Sequence, residues 1–228
     1  MVRQLLISAM LAAGLLHSVA GHAETVRWAR SADPATLDPH AVNTGTNFNL
    51  LHQINEPLIL RSNDGKLQPG LATSWKLASD PSIWEFKLRP GVKFHDGSLL
   101  TADDVVFSLK RAQAPSSQLK SLLSSVDTIT KVDPLTVRVK TKGPNLIFPN
   151  NLTNLFIMSE AWAKANKAEV SQDVASKTEN FATRNVNGTG PYTLASREVD
   201  TRTVLKQLPQ YWGRGEVPLE ITELVYLP

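Results

Sequence analysis

The sequence predicts an α+β fold, and three observations carry the prediction. Two stretches of alternating apolar residues are each broken by an Asp-Pro turn, at Asp80-Pro81 and at Asp133-Pro134, the pattern of antiparallel hairpins with one apolar face. Between them, Thr101 precedes a run in which Ala102, Val106 and Leu109 recur at helical spacing, with Asp104 in the reciprocal capping position three residues after Thr101. Helices and hairpins do not alternate regularly, which argues against a parallel βαβ sheet and for mixed sheets with flanking helices. No internal repeat, linker or low-complexity tract marks a domain boundary.

Taken in order, Val26, Trp28 and Arg30 alternate around Arg27 and Ala29 as a first strand. Residues 31–39 form a loop with Asp33-Pro34 and Asp38-Pro39 as turn dipeptides, and residues 43–47 are rich in Gly, Thr and Asn. Phe48, Leu51, His52 and Asn55 predict a short helix ending before Pro57. Residues 58–60 read as a brief strand and Asn63-Asp64-Gly65 as a turn. The first hairpin sets Trp75 and Leu77 against Trp84, Phe86 and Leu88.

Residues 88–111 are then a strand, a turn and a capped helix. Arg89-Pro90-Gly91 breaks the preceding strand, Val92 and Phe94 alternate with Lys93 and His95, and Asp96-Gly97 turns the chain into the helix. Lys110 and Arg111 fall in its last turn, where they complement the helix dipole. A weak helix is expected over 114–125, the second hairpin over 128–141, and an Asn-rich loop over 149–154. Ser159 caps a helix reaching about Lys167, and residues 171–184 read as a long polar loop, open to motion. Tyr192 and Leu194 pair with 203–208, and 220–227 is a final strand.

A chain of 228 residues can bury a real core, and 42% hydrophobic with 20% charged residues is a globular balance, so disorder is excluded. The formal charge of +3 is spread along the chain without a dense Lys/Arg tract interleaved with aromatics, which argues against nucleic acid as a partner. Residues 1–23 read as a secretory signal peptide: Arg3 supplies the positive end, 5–16 the apolar stretch, and Gly21-His22-Ala23 the small residues before a cut. The alternative is a membrane anchor, but the run is short of the roughly 20 apolar residues that a span needs. Cys is absent, so there is no thiol to carry a lipid, and the expected location is a periplasm, as a soluble protein that is not a lipoprotein.

Catalytic readings find little support in the residues. His40, His52 and His95 are scattered, with no paired spacing on a helix, and structural roles are expected for all three. Asp103-Asp104 stand in a first helical turn, where capping and the dipole account for both. Gly188-Thr189-Gly190 lacks the lysine and the spacing of a phosphate loop. No Ser lies in a GxSxG context. The chain is therefore expected not to be an enzyme and to need no cofactor or metal, the alternative being a secreted periplasmic hydrolase of α+β fold.

Residues 88–111, LRPGVKFHDGSLLTADDVVFSLKR, resemble the hallmark segment of the family 5 solute-binding proteins, the peptide- and nickel-type receptors of ABC importers. Leu37-Asp38-Pro39, Leu71-Ala72-Thr73-Ser74-Trp75, Asn187-Gly188-Thr189-Gly190-Pro191-Tyr192 and Gln210-Tyr211-Trp212-Gly213 resemble further blocks of that family and occur in its order. The resemblance implies the N-terminal lobe of a two-lobed periplasmic-binding-protein-like fold over residues 24–228. It also implies that family members run on into a second lobe, expected to follow Pro228, so that this chain reads as a truncated receptor.

The same resemblance implies a function and a site. The expected function is non-covalent capture of a peptide or related small solute by a monomer, which hands it to ABC transporter permease subunits. The segment after LDPH approaches the ligand in the family, which carries over onto Asn43, Thr44, Gly45, Thr46 and Asn47. Read as residues alone, these fit either a ligand contact or an ordinary solvated loop. A second stretch, holding Asn151 and Asn154, resembles another cleft-facing segment.

Overall fold

The computed structural model describes residues 25–213 and 220–225, so the signal peptide expected over residues 1–23 lies outside the described residues. In chain order the elements are β1 (Thr25–Arg30), α1 (Gly45–Ile54), β2 (Ile59–Arg61), β3 (Leu67–Pro69), β4 (Ala72–Leu77), β5 (Ile83–Leu88), α2 (Ala102–Gln113), β6 (Val126–Asp133), β7 (Thr136–Thr141), α3 (Phe148–Asn151), α4 (Glu160–Ala165), β8 (Tyr192–Glu198), β9 (Arg202–Gln207) and β10 (Glu220–Val225). They form a four-stranded sheet in the order β1-β10-β9-β8, a second in the order β4-β5-β7-β6, and the small pair β2-β3. The parallel β1–β10 pair brings Thr25 beside Glu220, and every other ladder is antiparallel.

Alternation dictates the second sheet as expected. Trp84, Phe86 and Leu88 of β5 all point inward, with Trp75 opposite Phe86 and Leu77 opposite Trp84. On the other face Glu85 takes Arg138 from the neighbouring strand at 2.6 Å. Helix α2 covers the inner face with Ala102, Val105, Leu109 and Ala112, so the buried stripe runs through Val105, with the expected Val106 at its half-buried edge.

Helix α1 holds the two halves together because it has two buried faces. Phe48 and Leu51 enter the large core of the second sheet, while Leu50 and Ile54 enter a smaller core with Leu37, Tyr192, Leu205 and Ile221 on the first sheet. A second joint ties the turn before α2 to the segment that leads into β8. His95 donates from Nε2 to the Gly190 carbonyl (3.1 Å) and accepts at Nδ1 from the Gly188 amide (3.3 Å), while Asn187 and Asp96 exchange a pair of bonds. Gly190 in turn donates to the Ile54 carbonyl at 2.9 Å. A Cβ on Gly188 would lie 2.0 Å from that oxygen, so the Gly-Thr-Gly stretch is a close backbone approach.

Several local expectations need correction. Residues 92–95 form no strand; a single bridge, Lys93 to Leu99, closes a tight turn that buries Val92 and Phe94. Residues 45–47 are the first turn of α1, because the Thr44 side chain accepts from the Asn47 amide and starts the helix earlier. The Asn-rich stretch 149–154 is helical, as α3 followed by a 3-10 turn, and the weak helix after α2 is the 3-10 turn Gln118–Leu123. Lys110 and Arg111 do fall in the last turn of α2, as expected, but the Arg111 side chain is fully buried against Asp38.

Candidate functional site

A concavity of about 430 Å³ opens beside the N-terminal half of the chain, lined by Trp28, Arg30, Asn49, His52 and Gln53. Trp28 and Arg30 share one side of β1, two residues apart. Asn49, His52 and Gln53 share one side of α1, because positions i, i+3 and i+4 project together, and that side is the one left over by the two buried faces. Its polar groups are thus set on two regular elements and not on a loop.

Two of the polar groups, Arg30 and His52, are held by partners. The Arg30 guanidinium donates to the Thr46 carbonyl, which ties β1 to the first turn of α1. His52 donates from Nε2 to Asn154 Oδ1 at 3.1 Å and meets Phe156 edge-on with ring centroids 4.7 Å apart. Burial pushes the His52 imidazole below its usual range, against the opposing pull of Asn154, so the ring is neutral at pH 7 and offers Nδ1 as an acceptor. The wall therefore presents a cation, two amides, a neutral imidazole and an indole. That set suits a polar small molecule held by hydrogen bonds and one aromatic face.

A buried charge cluster holds the loop that leads into α1. Arg111 grips Asp38 through both nitrogens, at 2.7 and 2.6 Å, and donates to the Ala168 and Val170 carbonyls. Asp38 also receives the Gln172 amide and the Asn180 side chain, so the polar loop 171–184 is fastened to the same carboxylate. Burial alone would raise the Asp38 carboxyl, but the bonds and charge of Arg111 prevail and bring it to about 2. His40 accepts from Arg111 at Nδ1 and donates from Nε2 to the Phe156 carbonyl. Burial first, and then Arg111, lower it to about 4.

The residues expected from sequence divide into those left exposed or half-exposed and those whose polar groups are turned inward. Asn43, Thr44, Gly45 and Thr46 stand together at the start of α1, the first three exposed. A Cβ on Gly45 would meet nothing within 4 Å, so this turn is open to approach. Asn154 reaches the concavity through His52. The Asn47 amide is consumed internally, donating to the Thr36 carbonyl (2.7 Å) and accepting from the Ala35 amide (3.1 Å). Asn151 donates to the Leu122 carbonyl. Trp28, Arg30, Asn49, His52 and Gln53 were missed. Once a helix is set over 48–55, the 49/52/53 spacing is the signal that points to three of them.

Residues 66–228 match the family described as bacterial extracellular solute-binding proteins, family 5 Middle. A glutathione-binding protein GsiB of Pectobacterium atrosepticum is 30% identical over 217 residues, covering 93% of this chain and 40% of that protein. A periplasmic oligopeptide-binding protein OppA of Haemophilus influenzae is 26% identical over 201 residues, covering 81% of this chain and 36% of that protein. Among solved structures, the periplasmic binding protein AgaA of A. tumefaciens R10 in complex with agropinic acid superposes with a TM-score of 0.78 at 27% identity, covering 89% of this chain and 40% of that one. DppA of Helicobacter pylori in complex with the peptide STSA gives 0.77 at 24% identity, covering 89% and 43%. The chain spans about 40% of the length of the curated relatives it matches. The mixed sheets and flanking helices are those of part of the periplasmic-binding-protein fold expected from the sequence, and the chain belongs to the bacterial extracellular solute-binding proteins of family 5.

Proposed function

We propose that this chain forms a ligand-receiving lobe of a periplasmic receptor that captures peptides, or small solutes of peptide-like chemistry, and presents them to the permease of an ABC importer. The single observation that carries the proposal is the concavity on α1 and β1, whose Arg30, Asn49, Gln53 and Trp28 offer donors, acceptors and one aromatic face. The open first turn of α1 supplies further polar side chains, from Asn43 and Thr46, for a peptide main chain. Binding is non-covalent: a second lobe closes over the ligand, excludes water and strengthens each polar contact. Relatives named for oligopeptide, murein peptide and glutathione binding support that ligand class. Export follows cleavage after Ala23, and among the described residues no helix is long and apolar enough to cross a membrane.

Calorimetry with a library of short peptides, on this chain and on a chain extended through a second lobe, tests the proposal. Losing contacts worth about 4 kcal/mol would weaken a micromolar site to roughly millimolar, so the short chain is expected to bind far more weakly than the long one. Equal affinity would place the whole site within these residues and overturn the enclosure. Turnover of ester or peptide substrates would instead favour a hydrolase.

A further inference from the structure

Glu56, just beyond the end of α1, is a buried carboxylate outside the concavity, only 5% exposed. Three segments gather around it. Tyr211 donates to its Oε1 at 2.5 Å and Trp212 donates from Nε1 to its Oε2 at 2.7 Å, both from the turn that follows β9. Thr189, in the Gly-Thr-Gly joint, also faces the carboxylate. Arg89, leaving the end of β5, lies over the Trp212 ring with its Cζ 4.6 Å from the centroid. The turn is folded tightly onto itself: a Cβ on Gly213 would lie 2.3 Å from the Tyr211 ring.

This geometry can accept one proton without losing a hydrogen bond. Charged, the carboxylate accepts from both rings. Protonated, its carbonyl oxygen still accepts from the Trp212 indole, which can only donate, while its new hydroxyl donates to Tyr211 Oη, which can reverse its role. What changes is the charge that faces Arg89 across the indole. The titratable and charged groups around Glu56 are Tyr211 and Arg89, and burial holds the Tyr211 phenol protonated well above its ordinary range.

We propose that Glu56 is a proton-operated clamp: charged, it holds the Tyr211-Trp212 turn of the first sheet against Arg89 at the end of β5, and protonated, it releases that cation while keeping both rings. Burial favours the uncharged form and pushes the group up to about 7, against the bonds of Tyr211 and Trp212 and the charge of Arg89. The clamp therefore works near neutral pH, where an ordinary carboxylate is fully charged.

The test is the indole N–H resonance of Trp212 in a 15N-labelled sample, assigned by its loss in Trp212→Phe and followed from about pH 5 to about pH 9. One inflection near neutral pH is expected, shared by the Arg89 Nε resonance and absent in Glu56→Gln. Tyr211→Phe removes one donor to the charged form and is expected to move the inflection upward. It also keeps the proposal testable should the Gln variant fail to fold. An inflection at ordinary carboxylate pH, its survival in Glu56→Gln, a downward shift in Tyr211→Phe, or an Arg89 resonance that does not move would each overturn the clamp.

Discussion

At the scale of single residues, two buried groups pull stability in opposite directions with pH. His40 is held at about 4, below its ordinary 6.5, so between those values the unfolded chain binds the extra proton and stability falls as pH falls, by up to about 3 kcal/mol. Glu56 is held at about 7, above its ordinary 4.5, so the folded chain binds the extra proton and stability falls as pH rises, by a similar amount, about 3 kcal/mol. The two offset each other across the window between those values. Glu56→Gln removes one side of the balance. Thermal melts from pH 7 down to about 4.5 are expected to drop steeply in the variant and gently in the wild type; parallel curves would show that Glu56 titrates normally. Little of this was legible. Asp38-Pro39 read as a turn and Arg111 as a helix-end cation, because a sequence does not say which of two adjacent basic residues faces the core. Lys110 is exposed and Arg111 is buried.

At the scale of elements, the Thr101/Asp104 capping box of α2 was legible, while its link to a second helix was not. The Thr101/Asp104 spacing is present, yet the bonds that hold it end on Asp104: its Oδ2 accepts from the Thr101 amide (2.8 Å) and hydroxyl (3.0 Å), and its Oδ1 from the Glu160 amide (2.9 Å). One carboxylate thus serves the first turns of both α2 and α4. Burial raises its carboxyl, offset in part by those amides, a sign that the charge is held inside for its hydrogen bonds. The link to Glu160 spans two elements far apart in sequence, where spacing carries no information. Asp104→Ala is expected to cost about 2–3 kcal/mol, since buried donors in two helices lose their acceptor, and Thr101→Ala less than about 1 kcal/mol. Urea midpoints of the two variants decide the order; a larger loss at Thr101 would return the cap to the hydroxyl.

At the scale of the whole molecule, α+β character was legible from the hairpins and the capped helix, whereas the partition into two sheets was not. The parallel pairing of β1 with β10 joins the two ends of the described chain, and period-2 alternation names a strand without naming its neighbour. Helix α1 makes the consequence testable, because it gives Phe48 to one core and Leu50, two residues on, to the other. If a rigid helix and the His95 joint couple the halves, neither core can melt alone, and unfolding is a single transition. Phe48→Ala and Leu50→Ala, each emptying one core, are then expected to lower the same transition by about 2–5 kcal/mol with its cooperativity intact. Tryptophan fluorescence and far-ultraviolet dichroism, followed together in urea, report it. Should the two variants split the transition, each moving a different half, the sheets fold as separate units. The concavity on α1 would then ride on the smaller of them alone.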